Sequence, residues 1–274
     1  MPPTNAEFAY VRDLVKNAVA IALGPEREYL MEARLAPIAE QEGFTCVTEL
    51  VRSLTGKTST DLHWKVIEAM TTNETSFFRD IKPFEALRNK VLPQLIQNRE
   101  KERQVSVWCG ACSTGQEPYS LSIMLREHFP VLQNWKIKIL ATDISNDVLR
   151  KAQSGRYTQL EVNRGLPAQL LIKHFRKEGT EWQISDAIRN MVEFRRVNLI
   201  GTWPPMPNVD IVLLRNVLIY FPVETKTQIL RNMRRILRPD SYLFMGTAET
   251  TVNLQVQYDP ESYQTVTYYR PSPN

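Results

Sequence analysis

Apolar residues recur at helical spacing from Ala6 to Ala22, where Phe8, Val11, Leu14, Val15 and Ala18 share one side. Gly24-Pro25 ends that run, since glycine closes helices and proline suits the first turn of the next. A second helix is expected over Glu26–Gln41. Tyr29, Leu30, Ala33 and Leu35 form its apolar side, and Pro37 should kink or terminate it. Further helices are expected over Thr45–Leu54 and Asp61–Met70, and no strand pattern precedes Gln104.

After Gln104 the texture changes. Short apolar runs (Val105–Cys109, Ile137–Thr142, Val192–Leu199, Val209–Leu214, Tyr242–Gly246) alternate with helical patterns such as Pro118–Arg126, Asp147–Gln153 and Glu224–Leu237. Buried strands alternating with helices predict a mostly parallel, doubly wound α/β sheet. Leu254–Tyr258 and Tyr263–Arg270, around Asp259-Pro260, read as a terminal antiparallel hairpin. Trp182 and Ile184 alternate with polar neighbours, which predicts a small β-insert over 176–191. The expected organisation is an all-α N-terminal domain with its linker over 1–80, then an α/β domain over 81–274.

Composition narrows the class. The 274 residues are 43% hydrophobic and 23% charged, ordinary for a globular protein. No apolar run is long enough to span a bilayer, and the N-terminus lacks the order of a signal peptide. Cys46, Cys109 and Cys112 can build neither a disulfide framework nor a zinc site, so no metal is expected and a cytoplasmic setting fits best. A net charge of +4 permits an acidic partner without naming one.

In an open α/β sheet the ligand lies beyond the carboxyl ends of the strands. The first strand opens into Gly110-Ala111-Cys112-Ser113-Thr114-Gly115-Gln116-Glu117-Pro118-Tyr119-Ser120. Gly110 and Gly115 would let backbone approach a ligand, although the glycines alone fit a strand–helix turn equally well. The loop has neither the dinucleotide glycine pattern nor the lysine of a phosphate loop, and Glu117 would repel a pyrophosphate while attracting an ammonium. Asp143, ending the second strand, can accept ribose hydroxyls; alone, it reads better as a helix cap. Arg215 and Asn216 fall at the end of the fourth strand, with the hydroxyl of Tyr220 further on. The polar run Thr71–Asp80 is too rich for a plain linker: Asn73, Thr75 and Arg79 offer donors and acceptors, while Phe77 and Phe78 anchor it.

The order Thr-Thr-Asn-x-Thr-x-Phe-Phe-Arg, Gly-Ala-x-Ser-Thr-Gly-x-Glu-Pro-Tyr-Ser, Ala-Thr-Asp-Ile-Ser, Val-Asn-Leu, then Arg-Asn-Val-x-Ile-Tyr-Phe resembles the CheR family of chemotaxis methyltransferases. Tyr29-Leu30 to Arg34-Leu35 also resembles that family's helical domain, so the likeness covers nearly the whole chain. It implies a class I, Rossmann-like methyltransferase fold, S-adenosylmethionine as methyl donor and glutamate carboxylates of chemoreceptors as acceptors. By the same resemblance Asn73, Thr75 and Arg79 lie over the cofactor, Glu117 takes its ammonium region and Asp143 its ribose. Asn198 and Leu199, ending the third strand, flank the adenine, and Arg215 and Asn216 complete the site. Arg79 and Tyr220 are the catalytic candidates. The family usually has Gly-His/Ser-Ser-Glu after the fifth strand; Gly246-Thr247-Ala248-Glu249 here puts the role of that turn in doubt.

None of the three histidines lies in these motifs. A carboxylate with a pKa of about 4.3 is already deprotonated near neutrality and can attack a sulfonium methyl without a base. Receptor methylation regions, as the family implies, are acidic helices. Arg27 and Arg34 are candidates to dock them, with Arg12 and Lys16 beside them, and a solvated basic face explains each residue as well. The segment Phe175–Phe194 is shorter than in relatives that grip a receptor tether, which predicts tether-independent action. The chain is expected to be a monomer with no membrane insertion and no nucleic acid partner. The rival readings are a nucleic-acid methyltransferase, disfavoured by Leu214-Arg215-Asn216-Val217 where such enzymes often carry Asn/Asp-Pro-Pro-Tyr/Phe, and a receptor-binding scaffold without catalysis.

Overall fold

The computed structural model describes residues 4–24, 28–206 and 208–273. The chain divides into two compact units: Met1–Thr72 with Tyr220–Lys226, and Asn73–Ile219 with Thr227–Asn274.

The first unit is built from α1 (Asn5–Val19), α2 (Glu28–Gln41), α3 (Val47–Leu54) and α4 (Asp61–Met70). Glu7 closes a capping box with Thr4 and reaches Arg52 of α3 at 3.0 Å. Phe8, Val11, Val15 and Val19 of α1 bury their side chains, the expected stripe displaced by one position at its end. The apolar side of α2 differs from the expectation: Met31, Leu35 and Ala39 are buried at four-residue steps, whereas Tyr29 is 73% exposed. The helix also runs through Pro37, which forfeits one hydrogen bond without ending it. Arg27 lies outside the described residues.

The second unit opens with a helical stretch that the pattern does not predict: α5 (Lys82–Ala86), a π turn (Leu87–Val91) and α6 (Leu92–Asn98). It then alternates β1 (Gln104–Gly110), α7 (Gln116–His128), β2 (Lys136–Asp143) and α8 (Asn146–Ser154). A small insert follows: β3 (Arg156–Thr158), α9 (Gln159–Asn163), α10 (Ala168–His174), β4 (Phe175–Glu178), β5 (Glu181–Ile184) and α11 (Asp186–Arg189). The chain returns through β6 (Val192–Arg196), β7 (Val209–Leu214), α12 (Val223–Arg234, whose first turn belongs to the helical unit), β8 (Leu237–Met245), β9 (Tyr258–Tyr263) and β10 (Val266–Pro271).

The main sheet has the order β6-β2-β1-β7-β8-β10-β9, parallel through β8 and antiparallel at β10 and β9. The chain builds outward from β1 through β2 to β6, then crosses back to β7, so strand order reverses between β1 and β7. That reversal is where a ligand crevice forms in such sheets. One face is sealed by Leu87, Val91, Leu92 and Leu95 with Leu121 and Leu125, packed on Val105, Val107, Cys109, Ile139 and Ile211.

Two details differ from the sequence expectation. The insert's sheet has three antiparallel strands, β3-β5-β4, and draws one of them from residues 156–158, well before 176. The terminal hairpin turns at Gln264, whose φ is 54°, and Asp259-Pro260 lie inside β9. Proline is tolerated there because β9 is the sheet's edge strand.

Candidate active site

Of the residues singled out on the second unit, Glu117, Asp143, Arg215 and Asn216 lie at or just beyond the carboxyl ends of β1, β2 and β7. From β1 the backbone passes through Ala111 (φ 54°) and Ser113 (φ 49°) to Gly115 (φ 91°), which caps α7. The glycines serve packing. A Cβ on Gly110 would lie 2.8 Å from Leu214 Cδ1, and one on Gly115 would lie 2.9 Å from Ala152 Cβ. What they admit at close range here is neighbouring protein, as the reading of a strand–helix turn requires.

Asp143 ties this loop to the next strand. Its Oδ2 accepts the Ser113 N–H at 2.8 Å and its Oδ1 accepts the Ser145 N–H at 3.0 Å. The side chain Oγ of Ser145 accepts the Val148 N–H at 3.4 Å, so the cap of α8 is the serine and not Asp143. A carboxylate can accept more than two bonds, so fixing the loop is compatible with taking hydroxyl donors as well.

Glu117 stands in the first turn of α7 with 13% of its side chain exposed. Burial pushes its carboxyl above the ordinary range, and Arg215 pulls it back. Arg215, 2% exposed, donates through Nη1 to Glu117 Oε2 at 2.6 Å and through Nη2 to Asp80 Oδ2 and the Arg79 carbonyl, both at 2.9 Å. Its Nε is buried with no partner among the described residues. Asn216, the next residue, has φ 60°, a left-handed conformation that asparagine tolerates better than most.

The linker lies against the same loop. The Asn73 carbonyl accepts the Ser113 hydroxyl at 2.7 Å, and Phe78 N donates to Ser120 Oγ at 2.9 Å. Phe77 is fully buried, edge-on to Tyr157 at 5.0 Å and Phe175 at 5.6 Å. Thr75 is half-buried between them in sequence, and Arg79 donates to the Glu74 carbonyl at 2.9 Å.

Asn198 and Leu199 lie beyond β6, which ends at Arg196, two residues short of the expectation. The Val197 N–H nonetheless bonds the Asp143 carbonyl at 2.9 Å, so the segment still follows the end of β2. The Leu199 carbonyl accepts the indole N–H of Trp203, which packs edge-on to Trp108 at 4.9 Å. The thiols of Cys109 and Cys112 are pushed up by complete burial, which leaves them as packing groups.

Two of the described residues in the predicted set belong to the helical unit. Tyr220 ends a short 3-10 turn, Leu218–Tyr220, and its carbonyl accepts the Ala22 N–H at 3.5 Å. Arg34 donates through Nη1 to the carbonyls of Ala69 (3.4 Å), Met70 (3.1 Å) and Thr71 (2.7 Å), capping the C-terminal end of α4.

Sequence reasoning left the turn that ends at Glu249 with its role in doubt and did not place Glu249 in the site. Its Oε2 accepts the N–H of Gly246 at 2.6 Å and of Asn216 at 2.9 Å, and its Oε1 accepts that of Ile219 at 3.2 Å. The signal available was the match of Gly246 and Glu249 to the ends of the family's turn.

Chemically this is an acid-rich rim: Asp80 and Glu117 pair with Arg215, and Asp143 and Glu249 accept main-chain N–H groups. It fits a donor that carries an ammonium, a sulfonium and ribose hydroxyls, with a carboxylate for an arginine.

Comparison with known proteins points the same way. A family profile described as CheR methyltransferase, SAM binding domain, matches residues 73–267, and one described as CheR methyltransferase, all-alpha domain, matches residues 6–71. The chain is 39% identical over 271 residues to Chemotaxis protein methyltransferase Cher2 of Pseudomonas putida, spanning 97% of this chain and 96% of that one. It is 40% identical over 270 residues to Chemotaxis protein methyltransferase 1 of Pseudomonas aeruginosa, with 97% and 96% covered. A chemotaxis protein methyltransferase of Borreliella burgdorferi is 33% identical over 252 residues, 90% of this chain and 89% of that one. The boundary between the two profiles falls at the linker, where the fold itself divides. The chain therefore belongs to the CheR methyltransferase family, and its α/β unit is that family's S-adenosylmethionine-binding domain.

Proposed function

We propose that this enzyme transfers the methyl group of S-adenosylmethionine to glutamate side chains in the helical methylation region of chemoreceptors, releasing S-adenosylhomocysteine and leaving methyl esters. The observation that carries this reading is the acid-rich rim at the carboxyl ends of β1, β2 and β7, on a chain matched along nearly its full length by chemotaxis protein methyltransferases.

Glu117 would hold the donor's ammonium and Asp143 its ribose. Asn198 and Leu199 would flank the adenine, while Asn73, Thr75, Arg79, Arg215 and Asn216 would enclose the methionyl portion. The bound donor supplies an electrophilic methyl, which a carboxylate oxygen takes without any proton being moved. The chain's own task is then to orient the acceptor carboxylate and strip part of its water. Arg79 can hold that carboxylate by charge-assisted hydrogen bonds. Tyr220, supplied by the Arg-Asn-Val-x-Ile-Tyr-Phe motif, is proposed as the substrate-side hydroxyl. The acidic receptor helices are cytoplasmic, and Arg27 and Arg34 are the proposed docking cations, Arg34 in addition to its helix cap. The short insert favours action on receptors without a tether.

The test is transfer of labelled methyl groups from S-adenosylmethionine to receptor-containing membranes, followed by base hydrolysis to separate esters from other methylated products. Base-labile label that falls at least tenfold in Arg79→Ala and Asp143→Ala supports the proposal. Base-stable label, or label transferred to nucleic acid, would overturn it.

A further inference from the structure

The turn after β8 departs from the usual family pattern at Thr247 and Ala248, and both side chains are exposed. Its two ends are engaged. Gly246 is buried, and a Cβ there would lie 2.7 Å from Asn216 Nδ2, 2.8 Å from Asn216 N and 2.8 Å from Glu249 Oε2. Only glycine lets the end of β8 come this close to the residue that follows Arg215. The Glu249 N–H closes the turn on the Gly246 carbonyl at 2.9 Å, which swings the glutamate side chain back under its own loop.

There the carboxylate takes three backbone N–H groups, two of them from the segment leaving the neighbouring strand β7. Asn216, the nearer of these, is in a left-handed conformation with φ 60°. It sits one peptide after Arg215, whose guanidinium is spread over Glu117, Asp80 and the Arg79 carbonyl. The direction in which the chain leaves β7 therefore sets where Arg215 and Asn216 stand, and the Glu249 carboxylate is what holds that direction.

We propose that Glu249 is the positioning residue of the donor site: by accepting the N–H groups of Gly246, Asn216 and Ile219 it fixes the segment that presents Arg215 and Asn216 to the donor. Glu249 acts through these residues and touches no reacting atom. This rests on the assignment of Arg215 and Asn216 to the donor site. It makes the matching glutamate, and not the two variable residues before it, the functional part of the turn.

The test compares Glu249→Ala and Glu249→Gln with the parent chain and with Arg238→Ala. Arg238 is also on β8 but at its opposite end, paired with Glu102 at 2.9 Å. Two quantities are read at a temperature where all four are folded: the affinity for S-adenosylhomocysteine by calorimetry, and amide exchange in peptides covering 215–219 and 246–249. Glu249→Ala should weaken product binding at least tenfold and speed exchange in both peptides at least tenfold. Glu249→Gln, which keeps one acceptor oxygen, should fall between, and Arg238→Ala should lower the melting temperature while leaving affinity and exchange at the site unchanged. Exchange in the two peptides that is unaltered by Glu249→Ala, or product affinity within twofold of the parent, would overturn the proposal. A parent chain that binds no product counts against the methyltransferase reading instead, and the exchange measurement still decides the role of Glu249.

Discussion

Replacing Arg215 by leucine should produce a stability deficit that grows with pH. The Arg215 side chain is 2% exposed and the Glu117 side chain 13%, so their 2.6 Å contact is a buried ion pair. Removing one partner of such a pair costs about 3–5 kcal/mol, chiefly because the other charge is left buried and alone. The lost contact to Asp80, whose side chain is 38% exposed, adds no more than about 1 kcal/mol. Burial already holds the Glu117 carboxyl above its ordinary range, and losing the guanidinium beside it would raise it further. An acid whose folded pKa is raised contributes stability that is fully present below its unfolded pKa and is lost as pH rises through the folded one. In the variant, Glu117 escapes the penalty at low pH by taking a proton and bears it at high pH. Urea denaturation followed by tryptophan fluorescence at pH 5 and pH 8 should show the deficit larger at pH 8 by more than about 1 kcal/mol, since a tenfold change in a group's proton affinity is worth about 1.4 kcal/mol. The double variant Arg215→Leu/Glu117→Gln should recover much of the loss and show a deficit independent of pH. Equal single-variant deficits at the two pH values would refute the reasoning.

Gly165 and Arg34 offer two further tests of what positions the linker. A Cβ on Gly165 (φ 84°) would lie 2.0 Å from the Phe77 carbonyl oxygen, whereas one on Gly179 (φ 62°) would meet nothing within 4 Å. Gly165→Ala should therefore cost roughly 2–5 kcal/mol, strain plus overpacking, and Gly179→Ala only about 1–2 kcal/mol of strain; equal losses in melting temperature would refute the packing argument. Arg34→Ala removes a cation that caps α4 through three carbonyls and should lower stability by about 1–3 kcal/mol, and a melting temperature unchanged by the substitution would show that the cap contributes nothing.

How far the sequence discloses the molecule depends on the range of the interactions. Val105–Cys109, Ile137–Thr142 and Val209–Leu214 are legible as strands because a parallel strand buried on both faces must be apolar throughout. Asp143 and Arg215 are legible as candidates for the same reason, being polar groups where such strands end. The face of α2 is not legible, because Leu30 and Met31 are equally apolar and only the neighbouring helices decide that Met31 is buried. The turn of the terminal hairpin is misplaced because Asp259-Pro260 is strong turn chemistry that an edge strand can absorb. Arg34 reads as a surface cation from its own helix, and its three carbonyl partners lie 35 to 37 residues away. Glu249 is legible only as the end of its turn, since its partners are backbone N–H groups that carry no signature in any side chain.

That last case bears on how the site is held. Each strand end around the ligand position is fixed by a carboxylate that accepts main-chain N–H groups: Asp143 joins the β1 loop to the β2 end, and Glu249 joins the β8 turn to the β7 exit. The same device appears at the other end of the sheet, where Asp210 on β7 takes the Ser106 N–H of β1 at 2.8 Å and is paired with Arg99 at 2.9 Å. There a cation neutralises the acid and the arrangement is structural. At the carboxyl ends Asp80 and Glu117 share Arg215, while Asp143 and Glu249 take main-chain N–H groups. The proposed transfer to a carboxylate would move no proton, so a rigid, acid-braced pocket would suffice without a titrating base. On the proposed assignment of Asp143 to the donor's ribose, bracing and donor selection use the same carboxylate, and Asp143→Ala should impair loop geometry and S-adenosylhomocysteine binding together, as amide exchange and calorimetry would read.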